Sequence, residues 1–202
     1  MGKILKFPVQ ASKFGFKRVR KRAAAEHPDQ LHLFPQASAQ IVDLALESSR
    51  FEQALLFDER GDSRAAELYR KAIDEGDCVA DAHCNLGIIE SQNGNIARAF
   101  DCFTNSLKHN PRHFEAHYNL GNLYFDASDF RLSQVHYEMA AEIDPSFANL
   151  YFNLALVQAI NSDLNAAVAT LTRYQELVSV EEGRKADELL RELKNTLAAT
   201  GN

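Results

Sequence analysis

The chain has 202 residues, 25% of them charged and 46% hydrophobic, which is enough for one domain with its own core. No apolar run reaches the roughly 18 residues a membrane helix needs, so a spanning helix is excluded. Three cysteines, Cys78, Cys84 and Cys102, form no C-x-x-C and cannot all pair within one chain, which points away from a disulfide scaffold and to a reducing compartment, the cytoplasm.

The net charge of −6 hides an asymmetry. Residues 1–25 hold eight Lys/Arg and no Asp or Glu, whereas the rest of the chain holds 14 basic and 28 acidic residues. A basic arm, residues 1–36, is therefore expected to stand apart as an unstructured segment attached to an acidic body. It has no apolar run of signal-peptide length. Its Arg-rich, acid-free start resembles a mitochondrial presequence, but its single serine among residues 1–25 and the cluster Lys17, Arg18, Arg20, Lys21 and Arg22 fit an anion-binding arm better. Phe14 and Phe16 interleave with the cations, a composition suited to nucleic acid or another anionic surface. The alternative is a solvated tail.

Between Pro28 and Pro35 lies Gln30-Leu31-His32-Leu33-Phe34. It resembles the Q-L-S/D-L-F pentapeptide with which bacterial proteins dock on the replication sliding clamp. In that reading Leu33 and Phe34 fill an apolar pocket, Gln30 bonds its rim, and the chain is bacterial. In the other reading Leu31, Leu33 and Phe34 cover the exposed end of the domain that follows. A short helix over 37–46, carrying Ile41, Val42, Leu44, Ala45 and Leu46, is expected to cap that end.

From residue 47 the chain repeats. Ala82-His83-Cys84-Asn85-Leu86-Gly87 returns as Ala116-His117-Tyr118-Asn119-Leu120-Gly121 and as Leu150-Tyr151-Phe152-Asn153-Leu154-Ala155, each block 34 residues after the last. Ala99, Phe103 and Ser106 return as Ser133, Tyr137 and Ala140, then as Ala167, Leu171 and Tyr174. Ala65, Tyr69 and Ala72 fit an earlier unit with a looser first helix, with Ala54 as its small residue. Gly87, Gly121 and Ala155 fall where two helices must approach closely, and Phe103 and Tyr137 fill space between neighbouring pairs. Gly61-Asp62, Gly94-Asn95, Ser128-Asp129 and Ser162-Asp163 fall at turns, where Asn and Asp can cap the next helix. Pro111 and Pro145 are expected in the first turn of a new helix. Leu189, Leu190, Leu193 and Leu197 form one stripe on a closing helix over 182–198.

This period and its small residues resemble the tetratricopeptide repeat (TPR) family over residues 47–180. The resemblance implies an all-α, right-handed superhelix of four helix-turn-helix units, about 47–79, 80–113, 114–147 and 148–181. It implies too that the first helix of each unit lines a concave face, where solenoids bind partners. Asn85, Asn119 and Asn153 then form a row along that face, which resembles the asparagine ladder of the TPR superhelix in O-GlcNAc transferases. A carboxamide both donates and accepts, so such a row can hold the main chain of an extended peptide; the other reading is a bond between helices. Around the row lie Cys84, Ile88, Tyr118, Asn122, Phe125, Phe152 and Leu156. Tyr118 and Phe152 can clamp an apolar side chain, or can belong to the helix–helix core. TPR co-chaperones hold a C-terminal carboxylate through cations on these inner helices. Here the corresponding places carry Asp81, Asn85, Glu115, Asn119, Asn149 and Asn153, so an acidic peptide is disfavoured.

His113 and His117 have a spacing that can hold a metal, but His113-Phe114-Glu115-Ala116-His117 is not H-E-x-x-H, and His83 repeats the place of His117, which favours packing. No metal, cofactor or catalytic residue is expected. Two functions stand: a non-enzymatic scaffold binding an extended peptide or partner protein in the groove, or an adaptor using the arm and the pentapeptide for nucleic acid or the clamp. The start at Met1 and the closing helix suit a whole chain better than a regulatory domain cut from a larger enzyme.

Overall fold

A computed structural model describes residues 15–20 and 48–200. Nine α-helices lie among them: α1 (Arg50–Glu59), α2 (Arg64–Glu75), α3 (Val79–Gln92), α4 (Ile96–His109), α5 (Phe114–Asp126), α6 (Phe130–Ile143), α7 (Ala148–Ile160), α8 (Leu164–Leu177) and α9 (Val180–Thr200). The described residues contain no strand. Each helix packs chiefly on its sequence neighbours, so α1/α2, α3/α4, α5/α6 and α7/α8 form four stacked hairpins closed by α9. The helix expected over 37–46 lies outside the described residues. The closing helix extends beyond the expected 182–198 at both ends; Ala186, Leu189 and Leu193 are buried there and Leu190 is half-buried.

Local chemistry sets the punctuation. Ser49 starts α1 with a reciprocal capping box to Glu52. The turn inside each of the last three hairpins needs a left-handed residue, supplied by Gly94 (φ +79°), Ser128 (φ +61°) and Ser162 (φ +67°). The residue after the two serines caps the next helix: the Asp129 carboxylate accepts from Leu132 N–H and that of Asp163 from Ala166 N–H, both at 3.1 Å. Asn95 departs from this expectation, since its amide donates to Glu90 Oε2 at 2.9 Å and caps nothing. The prolines depart too. The N-caps of α5 and α7 are His113 and Phe147, so Pro111 and Pro145 precede the helices. His113 N–H closes a turn on Asn110 C=O at 3.1 Å, and proline's fixed φ suits Pro111 for the second place of that turn.

The small residues mark close approach within a hairpin. A β-carbon on Gly87 would lie 2.8 Å from Phe103 Cε1, and one on Gly121 would lie 2.5 Å from Tyr137 Cδ1. Phe103 and Tyr137 are fully buried and seat their rings on those glycines, so they fill space inside their own hairpin as well as next to its neighbour. Where the ring gives way to Leu171, the facing place is Ala155.

Candidate peptide-binding groove

Helices α3, α5 and α7 carry Asn85, Asn119 and Asn153, and α3 touches α5 directly. Across the first two asparagines runs a segment of the chain's own arm, residues 15–20. Asn119 Oδ1 accepts from Lys17 N–H at 2.9 Å and its amide donates to Lys17 C=O at 3.0 Å. Asn85 does the same for Val19, at 2.9 and 3.0 Å. Each carboxamide thus satisfies both main-chain groups of one residue, as a neighbouring strand would. Alternate residues face the same way only in an extended chain, which advances about 6.6 Å per two residues. The segment runs opposite to the array: residue 19 lies on the second hairpin and residue 17 on the third. Asn122 continues the line, its amide reaching Gly15 C=O at 3.5 Å.

Tyrosines brace the ladder from behind. Asn85 donates a second bond to Tyr69 Oη at 3.2 Å, and Tyr69 donates to Asp58 Oδ2 at 3.1 Å. Tyr137 Oη donates to Asn122 Oδ1 at 2.6 Å. Asn153 donates to Tyr118 Oη at 3.2 Å, while its own Oδ1, fully buried, accepts no hydrogen bond from a described residue. Burial pushes the Tyr118 phenol up to about 12, although the Asn153 and Asn122 hydrogen bonds pull the other way. Burial raises the Tyr69 phenol as well, with the Asp58 charge adding to the effect. Both hydroxyls therefore stay protonated as fixed hydrogen-bonding partners.

The segment's side chains enter built places. The Lys17 ammonium lies 4.3 Å from the ring centre of Phe114, 3.9 Å from that of Phe147 and 3.9 Å from Asp144 Oδ2. Burial raises the Asp144 carboxyl, but the Ser146 hydroxyl and N–H, and then Lys17, together hold it below its usual range. Arg18 pairs with the buried Asp58 and donates to Gln92 Oε1 at 3.1 Å. Val19 is 3% exposed and joins the apolar cluster of Phe51, Cys84 and Ile88. Phe16 stacks on Phe103 at 6.5 Å. Burial, and then the Glu115 charge, push the Cys84 thiol well up, which leaves it an inert wall residue.

The contacts bear on two of the readings offered for these residues. Tyr118 packs with Phe114, Tyr137 and Phe147, and Phe152 packs edge-on against Tyr174, so both serve the helix–helix core. The aromatic pair around the segment is Phe114 and Phe147 instead. Ile88 and Leu156 are buried, and Phe125 is half-buried with its ring edge-on to Phe130. In the arm, part of the segment expected to stand free lies in the groove, and Lys17 and Arg18 meet carboxylates rather than an external anion. Arg20 is exposed. Lys21, Arg22 and the pentapeptide residues Gln30, Leu31, Leu33 and Phe34 lie outside the described residues. The histidines are occupied within the fold. His113 Nδ1 accepts from Ala116 N–H at 3.1 Å and its Nε2–H faces Asp81 at 2.8 Å; His117 lies between Pro111 C=O at 3.1 Å and His136 at 3.0 Å. Among the described residues no three metal-ligating side chains converge. No helix among them is long and apolar enough to cross a membrane.

Sequence reasoning missed Phe114, Phe147, Asp144 and Asp58. A signal was present: both phenylalanines follow a repeat-closing proline within three residues, and a basic arm faced an acidic body.

Comparison with known proteins agrees with this architecture. The family model for the tetratricopeptide repeat matches residues 114–147, the hairpin α5/α6 with Phe147. No curated protein matches the chain. Among solved structures, the first TPR of Spaghetti (RPAP3), bound to the HSP90 peptide SRMEEVD, is 21% identical with a TM-score of 0.54, covering 59% of this chain and 93% of that one. A MamA double mutant from RS-1 is 18% identical with a TM-score of 0.57, covering 74% and 97%. TTC0263, a thermophilic TPR protein of Thermus thermophilus, is 19% identical with a TM-score of 0.53, covering 73% and 81%. The chain has the all-α fold of a TPR superhelix, and its third hairpin carries the sequence signature of that family.

Proposed function

We propose that this protein is a non-enzymatic interaction scaffold whose concave face holds an extended peptide or partner segment by its main chain. The observation that carries the reading is the paired bonding of Asn85 and Asn119 to alternate residues of an extended segment. Main-chain pairing supplies affinity without fixing sequence, and side-chain pockets supply selectivity, as in strand addition. Asn153, Asn122, Phe125, Ile88 and Leu156 form the wall and floor in this reading, backed by Tyr118 and Phe152 in the helix–helix core. Spaghetti holds an acidic peptide on the same fold, whereas this inner face sets Asp58 and Asp144 against two cations, so the ligand class here is basic.

The test is recovery of bound partners from the native host by wild-type protein and by the double variant Asn85→Ala with Asn119→Ala. Helical content and the melting midpoint serve as the check on folding. Partners should fall at least fivefold with the double variant. Equal recovery by a folded variant contradicts the groove reading.

A further inference from the structure

Only Val19 of residues 15–20 is buried; Gly15 and Arg20 are exposed and the three between are half-buried. A segment held by two carboxamides, one caged lysine and one buried valine is seated like a ligand rather than like a strand of the core. Yet the places that receive it are built. Asp58 is 7% exposed and takes charge from Arg18; Asp144 and two phenyl rings enclose one ammonium. Such carboxylates and rings select a cation and give nothing to a neutral or acidic side chain.

We propose that residues 15–20 are an intramolecular ligand and that their chemistry defines the groove's partner. That partner is an extended basic segment of the pattern Lys-Arg-Val. Its lysine enters the Phe114–Phe147–Asp144 cage, its arginine pairs with Asp58, and its branched apolar residue joins the cluster of Phe51 and Ile88. The partner gains the groove by displacing residues 15–20. This inference rests on the groove reading above and adds the identity of the ligand. The segment belongs to the same chain as the groove, so it competes as an intramolecular ligand, at an effective concentration of order millimolar. A peptide binding at about 10 μM to an open groove would therefore bind about a hundredfold more weakly to the closed one.

The experiment uses the full chain and a fluorescent peptide with the sequence of residues 13–22. Anisotropy is read for wild-type protein and for the variant Lys17→Ala with Val19→Asp, which loosens the tethered segment. Helical content of both is checked by circular dichroism. The loosened variant should bind at least tenfold more tightly than wild type. Replacing the peptide's caged lysine by norleucine, which keeps its length without charge, should then weaken binding at least tenfold. Adding Asp144→Asn and Phe147→Leu to the loosened protein should do the same to the parent peptide. Equal binding of lysine and norleucine peptides overturns the cage and leaves the ladder standing. Binding by neither protein, or binding indifferent to Asn85→Ala with Asn119→Ala, overturns the ladder as well. A wild-type dimer that the loosening substitutions convert to monomer makes a second copy the occupant and overturns a separate partner.

Discussion

Gly121 illustrates how little room the hairpins leave. A methyl group there meets the Tyr137 ring, which cannot swing aside because its hydroxyl is bonded to Asn122. Gly121→Ala should destabilise the protein by about 2 kcal/mol, overpacking outweighing alanine's better helix propensity, as read from urea unfolding midpoints. Adding Tyr137→Leu should recover part of that loss, because the fourth hairpin already pairs Ala155 with Leu171; no recovery would mean that the clash is not with the ring. Ser128 offers the opposite case. Its φ of +61° suits glycine, the residue found at the equivalent Gly94. Ser128→Gly should raise stability by about 0.5–1 kcal/mol, and a lower midpoint would contradict the turn assignment.

Between elements, the hydrogen bond joining α5 to α6 through His117 and His136 makes stability depend on pH. Burial, and then the neighbouring His117, lower the His136 imidazole from 6.5 to about 4; burial lowers His117 too. Between pH 6.5 and 4 the unfolded chain takes up a proton that the folded chain refuses. Stability is therefore full above pH 6.5 and falls as the pH drops toward 4, by about 1–2 kcal/mol at pH 5 for this half-buried ring. His136→Phe keeps a ring against Tyr124 and should flatten the difference between midpoints at pH 7.5 and 5; an unchanged slope would place the titration elsewhere. At this scale the sequence could be read well. A strict period of 34 locates every turn from Gly94 onward, because backbone sterics repeat with the repeat. The prolines stand two residues before the N-caps of the helices they are expected to open, since proline fits both a first helical turn and the turn before it.

Across the whole molecule, the wall of the groove could be read and its occupant could not. Asn85 and Asn119 stand one period apart on first helices, so their common face follows from periodicity. That residues 15–20 of the basic arm lie across them follows from no local rule. Its pattern of cations and aromatics suits an anionic surface as well as an acidic groove, and the choice depends on Asp58 and Asp144 meeting it in space. Tyr118 and Phe152 keep both readings, clamp and core, at the level of sequence for the same reason, since an aromatic on an inner helix can face the ligand or the next helix. A groove that binds by main chain requires the ladder to hold an extended segment, and amide hydrogen exchange across residues 15–20 of the full chain tests this most directly. Lys17 and Val19 donate to Asn119 and Asn85, whereas Phe16 and Arg18 amides donate to no described residue. The two bonded amides should exchange at least tenfold more slowly than the two between them, and Asn119→Ala should release Lys17 before Val19. Four amides exchanging together at the rate of an unprotected peptide would contradict the account.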